Sequence, residues 1–172
     1  MPSIDDEALR LCADLARALK ARGWMMATAE SCTGGLIAAA CTALSGSSDW
    51  FERGFVSYSN AAKTELLGVQ AELIAAHGAV SGEVARAMAL GALAHSNARA
   101  SVAVTGIAGP TGGSADKPVG TVWFGWAVGN RAWTECQRFD GDRDAVRAAT
   151  VGHALRGLLA RLAPADDAAS LT

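Results

Sequence analysis

The chain has 172 residues, of which 51% are hydrophobic and 19% charged, and its formal net charge is −2. This composition argues against a disordered chain, and no apolar run approaches the roughly 20 residues that span a bilayer. Because 15 basic residues are balanced by 17 acidic ones without a basic block, we expect no nucleic-acid partner. The length predicts one domain over residues 1–163 and a flexible tail over residues 164–172.

The four cysteines and three histidines are scattered along the chain, and no C-x-x-C pair occurs. We therefore predict neither a disulfide framework nor a zinc site. The first residues lack the charged and then apolar pattern of a signal peptide, so we expect a cytoplasmic protein that does not bind membranes. An alanine-rich chain with five tryptophans has apolar area to bury in a symmetric interface, and we expect a homodimer.

Helix and strand signals alternate along the chain. Ser3 is predicted to cap a first helix that ends at Gly23. The elements predicted next are a strand over residues 24–29, a helix over 36–44, a strand over 51–57, helices over 60–67, 70–77 and 82–95 (the last capped by Ser81), a strand over 100–105, and strands over 119–128 and 131–139. Asp140 is predicted to open a closing helix that runs to residue 163.

The order of these elements predicts the fold class. Strands separated by helices favour a parallel sheet covered on both faces. The dipeptide Gly129-Asn130 predicts a hairpin between the last two strands, and therefore antiparallel pairing. We predict an α/β fold, a three-layer α/β/α sandwich with a mixed, mostly parallel sheet.

Three segments could carry chemistry, since ligands in open α/β sheets bind where strands end and helices begin. The first is the turn from Glu30 to Gly35. Ser31 in this turn could be held beside unpaired backbone N–H groups, which suits a nucleophile next to an oxyanion hole. Alternatively, Ser31 or Thr33 only caps the next helix. The neighbouring thiol of Cys32 is interpreted as a small buried group.

The second segment is the glycine-rich loop that follows the strand ending at Thr105. Its backbone N–H groups could bind a phosphate, although it matches neither of the common nucleotide-binding glycine motifs. A plain surface turn explains the loop equally well.

The third segment contains Tyr58, the single tyrosine, and Lys63, one of three lysines. Lys63 lies one turn into a short predicted helix after a strand, where its amine could reach the end of the sheet. Burial would lower its pKa and allow it to act as a base for a serine. A solvated helix lysine is the alternative.

Arg143 and Arg147 are four residues apart and share a face at the start of the last predicted helix. Together with the positive end of that helix they could bind a phosphate. The alternative is a set of ion pairs with the neighbouring aspartates.

Six blocks occur together in one order. They are A-E-S-C-T-G-G at 29–35, G-S-S-D-W-F-E-R-G-F-V-S-Y-S-N at 46–60 with Lys63, H-G-A-V-S at 77–81, T-G-I-A-G-P at 105–110, K-P-V-G-T-V-W-F at 117–124 and G-D-R-D-A-V-R at 141–147. This set resembles the CinA C-terminal domain family in its stand-alone form, the nicotinamide-nucleotide amidases. The resemblance runs from the first helix to about residue 162, and it leaves no room for the extra N-terminal domain of long CinA proteins.

The resemblance implies hydrolysis of nicotinamide mononucleotide to nicotinic acid mononucleotide and ammonia in pyridine-nucleotide salvage, by a Ser/Lys mechanism without metal or cofactor. It implies Ser31 as nucleophile and Lys63 as general base, assisted by Tyr58. The substrate-binding residues expected from the motifs and loops are Glu30, Thr33, Gly34, Gly35, Thr105, Gly106, Gly109, Arg143 and Arg147. A non-catalytic nucleotide-binding module, or an amidase of the same mechanism on another small amide, remains as an alternative.

Overall fold

A computed structural model of the chain describes residues 4–163. The predicted tail over 164–172 and the predicted cap Ser3 lie outside these residues. The elements are α1 (Asp6–Arg22), β1 (Met26–Glu30), α2 (Leu36–Thr42), a short 3-10 turn (Ser47–Asp49), β2 (Phe51–Val56), α3 (Asn60–Leu67), α4 (Ala71–His77), α5 (Gly82–Ala94), β3 (Ala100–Gly106), β4 (Thr121–Val128), β5 (Arg131–Arg138) and α6 (Arg143–Leu162).

The strands form one mixed sheet in the order β2-β1-β3-β4-β5. Strands β1, β2 and β3 run parallel, whereas β4 pairs antiparallel with both β3 and β5. Strand β4 alone therefore runs against the other four. The Gly129-Asn130 turn joins β4 to β5 as predicted, with Val128 paired to Arg131.

The sheet separates two apolar clusters, so the fold is the predicted three-layer α/β/α sandwich. Helices α1, α2 and α6 cover one face, where Trp126 and Phe124 are fully buried. Helices α3, α4 and α5 cover the other face, which is built mainly from small residues. Alanines on β1 and β3 let α5 approach the sheet closely, and α3, which carries Lys63, packs against α5 and α4.

Several predicted helix and strand boundaries were wrong because more than one nearby residue could begin or end the element. Helix α1 begins after Asp5, whose carboxylate accepts a hydrogen bond from the Ala8 N–H. Helix α6 begins at Arg143 rather than Asp140, because Asp142 is its cap and accepts from the Ala145 N–H. Strand β1 starts and ends later than predicted, at Met26 and Glu30, so that Glu30 belongs to the strand. The predicted cap Ser81 is confirmed by its bond from the Val84 N–H.

Within residues 4–163, every helix is too short or too polar to cross a bilayer.

Candidate active site

Ser31 is the first residue after β1, at the carboxyl end of the parallel strands. Its N–H donates to the carbonyl of Val104 on β3, which ties the serine to the neighbouring strand. The chain then turns into α2 through Gly34 and Gly35, whose φ angles of 58° and 107° favour glycine. Ser31 is mostly buried and keeps 8% of its surface exposed at the rim of the sheet.

Glu30 holds this turn in place from inside the protein. The side chain is 1% exposed, and its carboxylate accepts hydrogen bonds from the N–H groups of Ile37 and Ala38 at 2.9 and 3.1 Å and from the Thr33 hydroxyl at 2.5 Å. The carboxylate thereby satisfies the free N–H groups at the start of α2. Neither Ser31 nor Thr33 caps this helix, so that alternative is wrong. The geometry favours a positioning role for Glu30 over the substrate contact predicted from the sequence.

Lys63 reaches Ser31 from the opposite layer of the sandwich. It lies in the first turn of α3 and is 1% exposed, so the solvated-lysine alternative is wrong. Its Nζ lies 3.3 Å from the Oγ of Ser31, 3.1 Å from the carbonyl oxygen of Ser57 and 3.2 Å from that of Tyr58. No carboxylate hydrogen-bonds to this amine among the residues described.

This environment matches a neutral amine. Burial lowers the pKa of Lys63 below its ordinary value because the ammonium form loses hydration. A neutral amine has two N–H bonds, which the carbonyls of Ser57 and Tyr58 accept, and one lone pair. The third neighbour is the hydroxyl of Ser31, which can donate its proton to that lone pair. The contacts of Nζ therefore suit a base that faces a nucleophile.

Cys32 directly follows Ser31, but its thiol is not an alternative nucleophile. Burial raises the pKa of its thiol to about 11, so at neutral pH it is a protonated thiol without nucleophilic charge. This agrees with its interpretation as a small buried group.

The two arginines of α6 separate into different environments. Arg147 is half-buried and reaches the turn after β1, where Nε donates to the carbonyl of Cys32 and a terminal nitrogen to that of Thr33, both at 3.1 Å. Arg143 is exposed and donates to the carbonyl of Gly109 at 2.9 Å. Within residues 4–163 neither arginine forms an ion pair with the nearby aspartates, so that alternative is wrong.

Arg143 borders a cavity of about 500 Å³ between the glycine-rich loop and the start of α6. Ala108, Pro110 and Val119 line its loop side. The loop thus forms one wall of a cavity whose other wall carries Arg143 between Asp142 and Asp144, and a wall of a cavity favours a binding loop over a plain surface turn.

Among the remaining predicted residues, neither the Thr105 hydroxyl nor the Tyr58 hydroxyl hydrogen-bonds to Ser31 or Lys63 within residues 4–163. Thr105 is buried, and its hydroxyl donates to the carbonyl of Ala79, which joins β3 to the segment before α5. Gly106 ends β3, where a Cβ atom would collide with Val122 on β4. The Tyr58 side chain is 64% exposed, and its hydroxyl contacts neither Ser31 nor Lys63.

Sequence reasoning missed Ser57. Its carbonyl accepts from Lys63, its N–H donates to the backbone carbonyl of Glu30, and its buried hydroxyl has no partner among the described residues. The sequence signal that could have identified Ser57 was its position directly before Tyr58, inside the block at 46–60.

The sequence model described as the CinA C-terminal domain matches residues 9–162. The chain belongs to the CinA C-terminal domain family. This confirms the resemblance drawn from the six blocks.

Relatives of this CinA domain are named nicotinamide-nucleotide amidohydrolase PncC. One from Escherichia coli K12 is 52% identical over 155 residues, which cover 90% of this chain and 94% of the relative. One from Pseudomonas putida is 54% identical over 154 residues, covering 90% and 96%. Among solved structures, the competence/damage inducible protein CihA from Agrobacterium tumefaciens superposes with a TM-score of 0.89 at 46% identity, covering 93% of this chain and 98% of that one.

Proposed function

We propose that the protein is a nicotinamide-nucleotide amidohydrolase that converts nicotinamide mononucleotide and water to nicotinic acid mononucleotide and ammonia by a Ser/Lys mechanism. The names of its close relatives support the activity. The mechanism is supported by one observation above all: a buried Lys63 amine lies 3.3 Å from the Ser31 hydroxyl, and its other two contacts are carbonyls.

In the first half-reaction, the neutral amine of Lys63 takes the hydroxyl proton of Ser31 as Oγ attacks the carboxamide carbon. The C=O electron pair moves onto the oxygen to give a tetrahedral oxyanion. When the oxyanion collapses, the C–N bond breaks and the Lys63 ammonium returns its proton to the leaving nitrogen. Ammonia departs, and an ester joins Ser31 to the nicotinoyl group.

In the second half-reaction, water attacks the ester while Lys63 takes its proton. The C–Oγ bond breaks, the proton passes to Ser31, and the carboxylic acid is released. Each oxyanion needs a donor close to Ser31. The Cys32 N–H directly follows the nucleophile and donates to no carbonyl or side-chain oxygen in the described part of the chain, so we assign it to the oxyanion hole.

The phosphate of the nucleotide supplies binding energy away from the reacting amide. We assign the phosphate to the exposed guanidinium of Arg143 at the cavity beside the glycine-rich loop. Arg147 is the less suitable residue because its guanidinium already donates to two backbone carbonyls.

An ammonia-release assay with the purified protein tests the substrate. We expect nicotinamide mononucleotide to be hydrolysed far faster than nicotinamide riboside, nicotinamide or the intact dinucleotide. Preference for another amide would keep the mechanism and overturn the substrate. Tight mononucleotide binding without ammonia would instead favour the non-catalytic module.

Two variants test the mechanism. Ser31→Ala should lower kcat by at least about 10³-fold, as loss of a serine nucleophile does, whereas the exposed Ser45→Ala should not. Lys63→Met should be similarly inactive, with the exposed Lys20→Met as its control. Ammonia release by Ser31→Ala at the wild-type rate would refute the assignment.

The pH profile tests the base. Because Lys63 must be neutral to accept a proton, kcat/KM should rise with pH through a group whose pKa lies below the ~10.4 of an ordinary lysine. A flat profile between pH 5 and 9 would argue against Lys63.

We further propose that the enzyme works in the cytoplasm as a homodimer, in pyridine-nucleotide salvage. Two exposed apolar side chains at the edge strand beside the site, Val56 and Tyr58, are available for an interface. Size-exclusion chromatography with light scattering would detect a stable monomer, which would contradict the dimer.

A further inference from the structure

The side chain of Arg147 binds backbone carbonyls of the turn after β1. The residue stands on α6, more than a hundred positions along the chain from the turn. Its guanidinium holds two successive carbonyls, those of Cys32 and Thr33. A planar guanidinium with donors in a fixed fork restrains the orientation of both peptide groups, which a flexible lysine ammonium cannot do equally well.

The restraint on Thr33 passes to the nucleophile through a chain of hydrogen bonds. The carbonyl that Arg147 holds belongs to the same peptide group as the Gly34 N–H, and that N–H donates to the Ser31 carbonyl at 3.1 Å. The Ser31 carbonyl in turn shares its peptide group with the Cys32 N–H. The peptide bonds are trans, so in each group the N–H points opposite to the carbonyl.

The charge of Arg147 therefore acts on the Cys32 N–H across two peptide groups. Hydrogen bonds in such a chain polarise one another, and each bond here is oriented in the same sense. The series of hydrogen bonds ends at the Cys32 N–H, which donates to no oxygen in the described residues. Its nearest acceptor is the thiol sulfur of Cys32 itself, which is a weak one, and an oxyanion on the attacked carbon would be a far stronger acceptor.

We propose that Arg147 is a positioning residue that orients and polarises the oxyanion donor of Cys32, and that it is not a ligand of the substrate phosphate. This role rests on the proposed function, because only acyl transfer to Ser31 forms an oxyanion at this place. Arg143, exposed and directed at Gly109, is left as the phosphate contact.

The test compares Arg147→Met and Arg147→Lys with Arg143→Met in steady-state kinetics of ammonia release. Arg147→Met should lower kcat by about 10- to 100-fold, below the effect of deleting an oxyanion donor outright, with KM nearly unchanged. Arg147→Lys should recover part of kcat, since one carbonyl can still be held. Arg143→Met should mainly raise KM. The exposed Arg156→Met on the same helix is the matched control.

A second measurement separates positioning from general loss of structure. A substrate analogue with an aldehyde in place of the carboxamide adds the Ser31 oxygen and forms a tetrahedral adduct in the same site. In Arg147→Met its affinity should fall in parallel with kcat/KM, while the affinity for the product, nicotinic acid mononucleotide, stays unchanged.

The outcomes distinguish this role from the proposed function. If Arg147→Met raises KM and keeps kcat, or binds the aldehyde analogue normally, the positioning role is wrong and the amidase assignment stands. If the wild-type protein releases no ammonia from any nucleotide, the proposed function itself is wrong. Should Arg147→Met not fold, Arg147→Lys decides, because unchanged kcat in that variant also overturns the role.

Discussion

The buried carboxylate of Glu30 makes a quantitative prediction about stability. In Glu30→Gln the side chain keeps its shape but replaces one acceptor oxygen with a donor NH₂ group. Three donors face the carboxylate, namely the N–H groups of Ile37 and Ala38 and the hydroxyl of Thr33. Whichever way the amide is turned, at least one donor must face another donor.

The expected cost follows from these contacts. A buried donor left without an acceptor costs about 1–3 kcal/mol, and loss of a negative charge at a helix N-terminus costs about 0.3–1 kcal/mol. The neutral amide no longer buries a charge, which offsets part of this cost. We expect a net loss of about 2 kcal/mol in the free energy of unfolding. For a chain of this length the melting temperature should fall by roughly 4–8 °C.

Urea titration followed by circular dichroism measures this loss, with exposed Glu65→Gln on α3 as the matched control. The control should stay within about 0.5 kcal/mol of the wild type, as surface substitutions usually do. If Glu30→Gln were as stable as the control, the carboxylate would not hold the start of α2, and the account of how the Ser31 turn is fixed would be refuted.

Three further predictions concern Lys63 itself and residues close to Ser31 and Lys63. At pH values between the lowered pKa of Lys63 and ~10.4, the unfolded chain binds more protons than the folded one, so the free energy of unfolding should rise with pH. In urea titrations Lys63→Met should flatten that rise, whereas Lys20→Met should leave it in place. Cys32→Ala should keep kcat within a few-fold of the wild type in the ammonia assay, since the protonated thiol takes no part in the reaction. Gly91→Ala should lower the free energy of unfolding by about 1–3 kcal/mol, because its Cβ would collide with the Leu67 carbonyl and displace α3, and kcat should fall with it.

Much of the fold could be predicted because its signals are local. Gly23 and Gly68 end helices in the left-handed conformation that only glycine adopts easily, and Gly129-Asn130 forms a tight hairpin. Ser81 caps α5 through a neighbour three residues away. Errors arose where two nearby aspartates could serve as the cap, as before α6, since the sequence pattern alone does not rank Asp140 against Asp142.

The candidate site could be predicted in part for the same reason. Ser31 and Lys63 stand next to strand ends, and the parallel order of β1 and β2 brings such ends to one edge of a sheet. The burial of Lys63, on which its proposed role as a base depends, results from the packing of α3 against α5 and α4 and could not be predicted from its own segment.

By itself, the amino-acid sequence determined the alternation of elements and the family, and it singled out the two residues that we propose as nucleophile and base, because these depend on neighbouring residues and on motifs. Only the tertiary structure decided what Glu30, Arg143 and Arg147 do. Glu30 turns inward onto α2, and Arg147 crosses from α6 to the turn after β1 while Arg143 stays exposed. A carboxylate or guanidinium can bind solvent, substrate or backbone equally well, and its partner is chosen by the groups that long-range packing places around it.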